Sequence, residues 1–122
     1  MEIRTKKIGN TKYSFVNESW SNSRAWGHRT VLIRNGLELE DEKIRYYNRT
    51  WEYYAFQTCM YKALETYKDR LLYRYIQDYK ESNGIDRFKK GEKQKVIESF
   101  NESEDGKDIQ ILHDSIRDRK FD

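Results

Sequence analysis

An α+β fold is predicted for this chain of 122 residues: an antiparallel sheet of about four strands (two hairpins), followed by one long helix and a short C-terminal helical hairpin. Three features predict it. Two glycine turns, Gly9-Asn10 and Asn35-Gly36, each separate a pair of extended runs. Beyond Gly36 no glycine or proline occurs until Gly84, and within that stretch apolar residues recur with a period near 3.6. After Gly84 come two weaker helical patterns with few apolar residues. Strands first and helices afterwards is the order of an α+β domain.

The first hairpin joins Ile3–Ile8 to Thr11–Val16, and Gly9-Asn10 suits a two-residue turn with a positive φ at its first position. Residues Asn17–Arg24, rich in Ser and Asn, are expected to form a loop with Trp20 and Trp26 flanking its end. The second hairpin joins His28–Arg34 to Leu37–Ile44 across Asn-Gly, the strongest short-range hairpin signal. In an unbroken register Leu32 faces Leu39 and Arg29 faces Glu42, one apolar and one opposite-charge pair.

A helix is predicted from Thr50 to about Ser82. Asn48 or Thr50 caps it, Glu52 lies in its first turn, and Asn83-Gly84 supplies the positive φ favoured after a helix end. At 1.5 Å per residue it would be about 50 Å long, more than the diameter of a domain this size, so later helices must support it. Its first half is apolar nearly all round (Trp51, Tyr53, Ala55, Phe56, Cys59, Met60, Ala63, Leu64), and its second half narrows to the stripe Tyr67, Leu71, Leu72, Tyr75, Ile76, Tyr79. The C-terminal third offers helices at Ile85–Phe100, with Gly91 as a dividing point, and Lys107–Arg119, joined by a loop at Glu102–Gly106. Both are expected to pack on the stripe. The whole reads as a single domain, 1–122, β-rich over 1–47 and helical over 48–122.

Hydrophobic residues make up 36% and charged residues 37%, a balance that would suit disorder but for three Trp, ten Tyr and five Phe. Each large ring removes about 150–250 Å² from water when buried, so a thin, aromatic-rich core is expected. Cys59 is the only cysteine, which excludes an intrachain disulfide and suggests no oxidising compartment. The first residues, Met1-Glu2-Ile3-Arg4-Thr5-Lys6-Lys7, have no apolar stretch behind them, and no run approaches a membrane span of about 18 apolar residues. An intracellular, soluble protein, cytoplasmic and away from membranes, is the expectation. Net charge is +3, made of a basic stretch at 1–36, an acidic one at 37–42 (Glu38, Glu40, Asp41, Glu42), a basic one at 43–80 and a mildly acidic remainder.

Little of this points to catalysis. His28 and His113 are the only histidines and lie at no ligand spacing from Cys59, so neither a zinc site nor a Cys-His nucleophile is expected, and Cys59 in an apolar stretch reads as a small buried hydrophobe. Glu38, Glu40 and Glu42 alternate, which on a regular strand sets them on one face; they read as edge charges against aggregation or as cation ligands. The single glycines form no phosphate loop, and no cofactor is implied. The remaining candidate is the junction Ile44–Phe56. Its Trp51, Tyr53 and Phe56 are expected to hold sheet to helix, while Arg45, Tyr47 and Arg49 are left for recognition of a protein or of nucleic acid.

The stretch Glu42-Lys43-Ile44-Arg45-Tyr46-Tyr47-Asn48-Arg49-Thr50-Trp51-Glu52-Tyr53-Tyr54-Ala55-Phe56-Gln57-Thr58, preceded by Gly27-His28-Arg29-Thr30 and the Asn35-Gly36 hairpin, resembles a class of small proteins carried by phages and mobile elements of Gram-positive bacteria. The likeness covers roughly residues 26 to 64 and rests on Tyr46-Tyr47-Asn48-Arg49-Thr50-Trp51-Glu52 after a short hairpin. Some small phage proteins are anti-CRISPR inhibitors, which bind a CRISPR effector nuclease and block its DNA or guide sites. The resemblance implies a mobile-element origin, an anti-CRISPR-like role and a protein or ribonucleoprotein nuclease of the host as partner; it transfers no catalytic residue.

Two functional expectations result. One is a non-enzymatic inhibitor that meets a basic channel with Glu38, Glu40, Asp41 and Glu42 and is anchored by Arg45, Tyr47 and Arg49. The other is a small DNA- or RNA-binding accessory protein that uses the basic stretches. A homodimer through the Tyr67–Tyr79 stripe is a further expectation, since the C-terminal helices are short.

Overall fold

The two glycine turns shape the first half of the molecule. The computed structural model describes residues 2–21, 23–24, 26–46 and 55–122, and their side chains except those of 19, 20, 26, 28, 40–46 and 55. Strands β1 (Glu2–Ile8) and β2 (Thr11–Ser21) meet across Gly9-Asn10, with Ile8 paired to Thr11 and Gly9 at φ 61°. Strands β3 (Trp26–Arg34) and β4 (Leu37–Tyr46) meet across Asn35 and Gly36, whose φ values of 49° and 86° are the two left-handed positions that suit the twist of a tight hairpin. Asn35 also fastens this turn to β2: its N–H donates to the Lys12 carbonyl and its Oδ1 accepts from the Lys12 N–H, both at 2.8 Å. The sheet is antiparallel in the order β1-β2-β3-β4, so β1 and β4 are its edges.

Two expectations for the sheet are corrected. Asn17–Arg24 is not all loop: β2 continues to Ser21, with Asn17 paired to Thr30 and Ser21 to Trp26. Ser and Asn favour turns locally, but a partner strand that takes up the backbone donors and acceptors overrides that preference. The second hairpin begins as expected, with Arg34 opposite Leu37 and Ile33 opposite Glu38, and then shifts by one residue. Leu32 pairs with Glu40 and Arg29 with Lys43, which leaves Leu39 as the extra residue of a β-bulge. Leu39 still packs against the core cluster that contains Leu32, so it keeps an apolar setting while the ladder partners change. Arg29 finds its carboxylates elsewhere, 3.9 Å from Glu18 and 3.9 Å from Glu38.

Helix α1 (Ala55–Asn83) follows, about 44 Å long at 1.5 Å per residue. The expected start at Thr50, with its Asn48, Thr50 and Glu52 caps and with Trp51 and Tyr53, lies outside the described residues. The end agrees with expectation. Gly84 has φ 64°, the Ile85 N–H reaches back to the Lys80 carbonyl (3.0 Å) and the Gly84 N–H to that of Glu81 (3.3 Å), the paired bonds of a Schellman cap. Helix α2 (Glu92–Glu102) starts only after Gly91 at φ 81°, so residues 85–91 form a turn and not the first half of a helix. Helix α3 (Glu104–Asp118) starts two residues after α2 stops, in place of the expected loop at 102–106. Ser103 accepts from the Gly106 N–H at 3.2 Å, and a Cβ on Gly106 would stand 2.7 Å from the Asn101 Cα. Gly106 therefore serves a close approach of two backbones, not a turn.

One core joins all the layers. Tyr13 and Phe15 of β2 and Leu32 of β3 occupy one sheet face, and against them pack Met60, Ala63, Leu64 and Tyr67 of α1, Phe100 of α2, and Ile109, Leu112 and Ile116 of α3. Gln57 of α1 donates to the Ile116 carbonyl at 2.6 Å. The C-terminal residues return to the sheet: Phe121 meets Phe15 edge-on at 6.2 Å, the Asp122 N–H donates to the Thr5 carbonyl at 2.8 Å, and Asp122 Oδ2 accepts from the Lys7 N–H at 2.6 Å. Part of the exposed margin of β1 is thus covered. Farther along α1 the support comes from α2, with Tyr75 edge-on to Phe100 at 5.5 Å and its hydroxyl 2.7 Å from Ser99 Oγ, as the stripe requires. No helix among the described residues is long and apolar enough to cross a membrane.

Candidate functional site

The acidic segment Glu38–Glu42 lies on β4, an edge of the sheet. The Asn35-Gly36 turn sets where it begins, with Leu37 72% exposed and the Glu38 side chain 66% exposed on the outer margin. Glu38 is reached by Arg29, which is shared with Glu18; at 3.9 Å and with partly exposed partners such contacts contribute about 0–1 kcal/mol.

The bulge at Leu39 changes the expected arrangement. Glu38 is in register with Ile33, whereas Glu40 and Glu42 are in register with Leu32 and Thr30, and Asp41 with Val31. Consecutive strand positions belong to opposite faces, so Glu38 and Asp41 stand at positions of one face and Glu40 and Glu42 at positions of the other. The single row of three glutamates expected from simple alternation is therefore not formed. Arg45 is in register with Gly27, on the face of Glu38. Tyr47 and Arg49 lie outside the described residues.

The arrangement is an acidic strand margin, not a cavity. Among the described residues no group of three or more His, Cys, Asp or Glu side chains is gathered as a metal would need. Cys59 is fully buried in the core cluster's neighbourhood on α1, as its apolar surroundings suggest. His113 is exposed, its ring 5.2 Å from that of Tyr61.

Local sequence gave no signal for a second polar assembly, built from four elements. The Tyr13 hydroxyl on β2 donates to Asp108 Oδ2 on α3 at 3.0 Å, both residues buried. Arg34 on β3 stands 5.8 Å over the Tyr13 ring, and its charge also acts on Tyr67 of α1. Burial raises the Tyr13 phenol well above the usual tyrosine range, and the neighbouring Tyr67 and Asp108 raise it further. Burial also raises Tyr67, with the Arg34 guanidinium working in the opposite direction. The assembly locks the sheet to α1 and α3 through satisfied polar groups.

No protein-family model, curated protein or solved structure matches the chain. The described surface also carries shallow grooves, among them two along α1. One, about 560 Å³, runs along α1 between Thr66 and Gln77 beside Tyr73, which is 68% exposed and flanked by Arg70 and Arg74. The other, about 300 Å³, lies between α1 and α3 beside Tyr61 and His113.

Proposed function

We propose that this is a non-enzymatic binding protein of phage or mobile-element type that inhibits a nucleic-acid-processing defence complex of a bacterial host, a CRISPR effector nuclease being the first target to test. One observation carries the reading: the acidic segment Glu38, Glu40, Asp41, Glu42 lies on an edge strand, where its outer margin can meet a partner. Nucleases that hold nucleic acid do so with basic channels, and four carboxylates along a strand margin are complementary to such a channel. Complementarity of this kind raises association rates and makes them salt-dependent. Arg45, Tyr47 and Arg49 follow directly in the chain and supply residue types common at interface hot spots. The proposed setting is the cytoplasm of the host cell.

The test is plasmid interference in bacteria that each carry one of a panel of CRISPR effectors. The protein is expected to restore plasmid survival against at least one effector. Joint replacement of Glu38, Glu40 and Glu42 by Lys is expected to reduce that protection about 100-fold, in keeping with several kcal/mol of lost charge complementarity. Undiminished protection by the triple variant would remove the acidic strand from the account.

A further inference from the structure

We propose that the capped turn between α1 and α2, together with the first turn of α2, is a binding surface for the phosphate backbone of a nucleic acid. This surface is separate from the acidic edge and does not rest on the inhibitor reading. Between Arg87 and Lys95 the chain carries Arg87, Lys89, Lys90, Lys93 and Lys95 against a single acid, Glu92, a local charge of +4. All five basic residues are exposed, and among the described residues none enters an ion pair. Other cations of the molecule do sit beside carboxylates, as with Arg29 beside Glu18 and Glu38 or Arg117 beside Asp114 and Asp118; what sets Arg87–Lys95 apart is the density of basic residues in so short a stretch.

The basic residues sit on a turn held at both ends. The Schellman bonds at Gly84 and Ile85 close α1. Phe88 then anchors the turn, its ring 6.0 Å from that of Tyr79 and under the Lys80 ammonium at 4.9 Å. Glu92, the one acid, is occupied in closing the turn: its Oε1 accepts from the Lys89 N–H at 3.2 Å while its own N–H donates to the Lys89 carbonyl at 3.0 Å. A rigid presentation spares the ordering entropy that a flexible basic tail loses on binding.

The same turn exposes a helix N-terminus. Gly91 occupies the cap position of α2 and brings no side chain to accept from the first-turn amides. Partial positive charge at a helix start favours an anion there, and here it lies amid five cations. The chemistry favours nucleic acid over a bilayer, because among the described residues the large apolar side chains that are exposed (Ile3, Leu37, Tyr73, Ile111) all lie outside the turn. Membrane-surface helices pair basic residues with an apolar face that inserts. A dense phosphate row needs only the cations.

The test is fluorescence anisotropy with a labelled random-sequence DNA duplex of about 20 base pairs and an RNA of the same length, from about 50 to 200 mM salt. The full chain is expected to bind at least one of them. Replacing Lys89, Lys90 and Lys93 by Gln, all exposed, is expected to weaken that binding about 10-fold or more at the lowest salt and to make the log–log salt slope shallower by about 3. Glu38→Lys, on the β4 edge, is expected not to weaken it. No binding to either probe, a Lys-to-Gln variant that binds as tightly as the parent, or a preference for phosphatidylserine vesicles over both nucleic acids would overturn the proposal.

Discussion

The acidic margin of β4 and the basic turn before α2 carry opposite charge, and they are held in place by different physics. The acidic residues belong to a strand, so their faces are decided by pairing with β3, and one bulged residue, Leu39, reassigns every residue beyond it. The basic residues belong to a turn whose shape is decided locally, by Gly84, Gly91, the Glu92 side chain and the Phe88–Tyr79 contact. A register-dependent surface is sensitive to changes anywhere in the sheet. A locally closed one should survive distant changes as long as α1 remains intact.

The contrast can be broken most strongly at Gly106, which belongs to neither surface. Any side chain there meets the backbone at the end of α2, so Gly106→Ala is expected to cost about 3 kcal/mol. A fall of the whole thermal transition would show that both regions depend on one cooperative core, whereas an unchanged midpoint would mean that α2 and α3 can part without consequence.

Tyr13→Phe acts on the sheet side. It removes the only donor described for Asp108 Oδ2 and leaves a buried carboxylate oxygen without its partner, at about 2 kcal/mol. The same residue gives a pH dependence whose sign is fixed. Tyr13 and Tyr67 are raised in the folded state, so the unfolded chain loses these protons first as pH passes about 10. Stability is therefore complete below that pH and falls as pH rises above it. Chemical denaturation at pH 8 and at about 10.5 should show a steeper alkaline loss in the parent than in Tyr13→Phe; equal losses would mean that Tyr13 does not carry the effect.

The smallest of these effects sharpens the contrast from the other side. Gly84→Ala places a Cβ at φ 64° and is expected to cost about 1 kcal/mol. Its consequence should be local: faster amide exchange at Ile85 and weaker nucleic-acid binding, with exchange in β2 and β3 unchanged. Faster exchange throughout the sheet would show that the turn is not locally closed.

Much of the fold was legible because its punctuation is local. Gly9-Asn10 and Asn35-Gly36 marked both hairpins, Asn83-Gly84 marked the end of α1, and Ile109, Leu112 and Ile116 showed their helical spacing and are buried. What escaped depends on contacts distant in sequence. Asn17–Ser21 reads as a loop until β3 is beside it, and the bulge at Leu39 leaves the hydrophobic pattern almost unchanged while it moves Glu40 to another partner. Gly106 looks like loop chemistry and is a packing position. Of the candidate site, the acidic run could be read directly from the chain, but its division between two faces could not. The basic turn was hidden by averaging: residues 81–122 sum to −2 because Glu81, Asp86, Asp122 and the acids of α2 and α3 offset Arg87–Lys95, a cluster that only a shorter window isolates. The resemblance to mobile-element proteins rests on the run Tyr46–Glu52, of which residues 47–52 lie outside those described.

Two oppositely charged surfaces are proposed to act independently, the β4 edge on a host nuclease and the α1–α2 turn on nucleic acid. The most direct measurement assays effector inhibition and duplex or RNA binding side by side for the parent, the Glu38/Glu40/Glu42→Lys variant and the Lys89/Lys90/Lys93→Gln variant. The account predicts a crossed result, with the first variant losing inhibition while it still binds nucleic acid, and the second losing nucleic-acid binding while it still inhibits. Loss of both activities in either variant, or of neither in both, would contradict it.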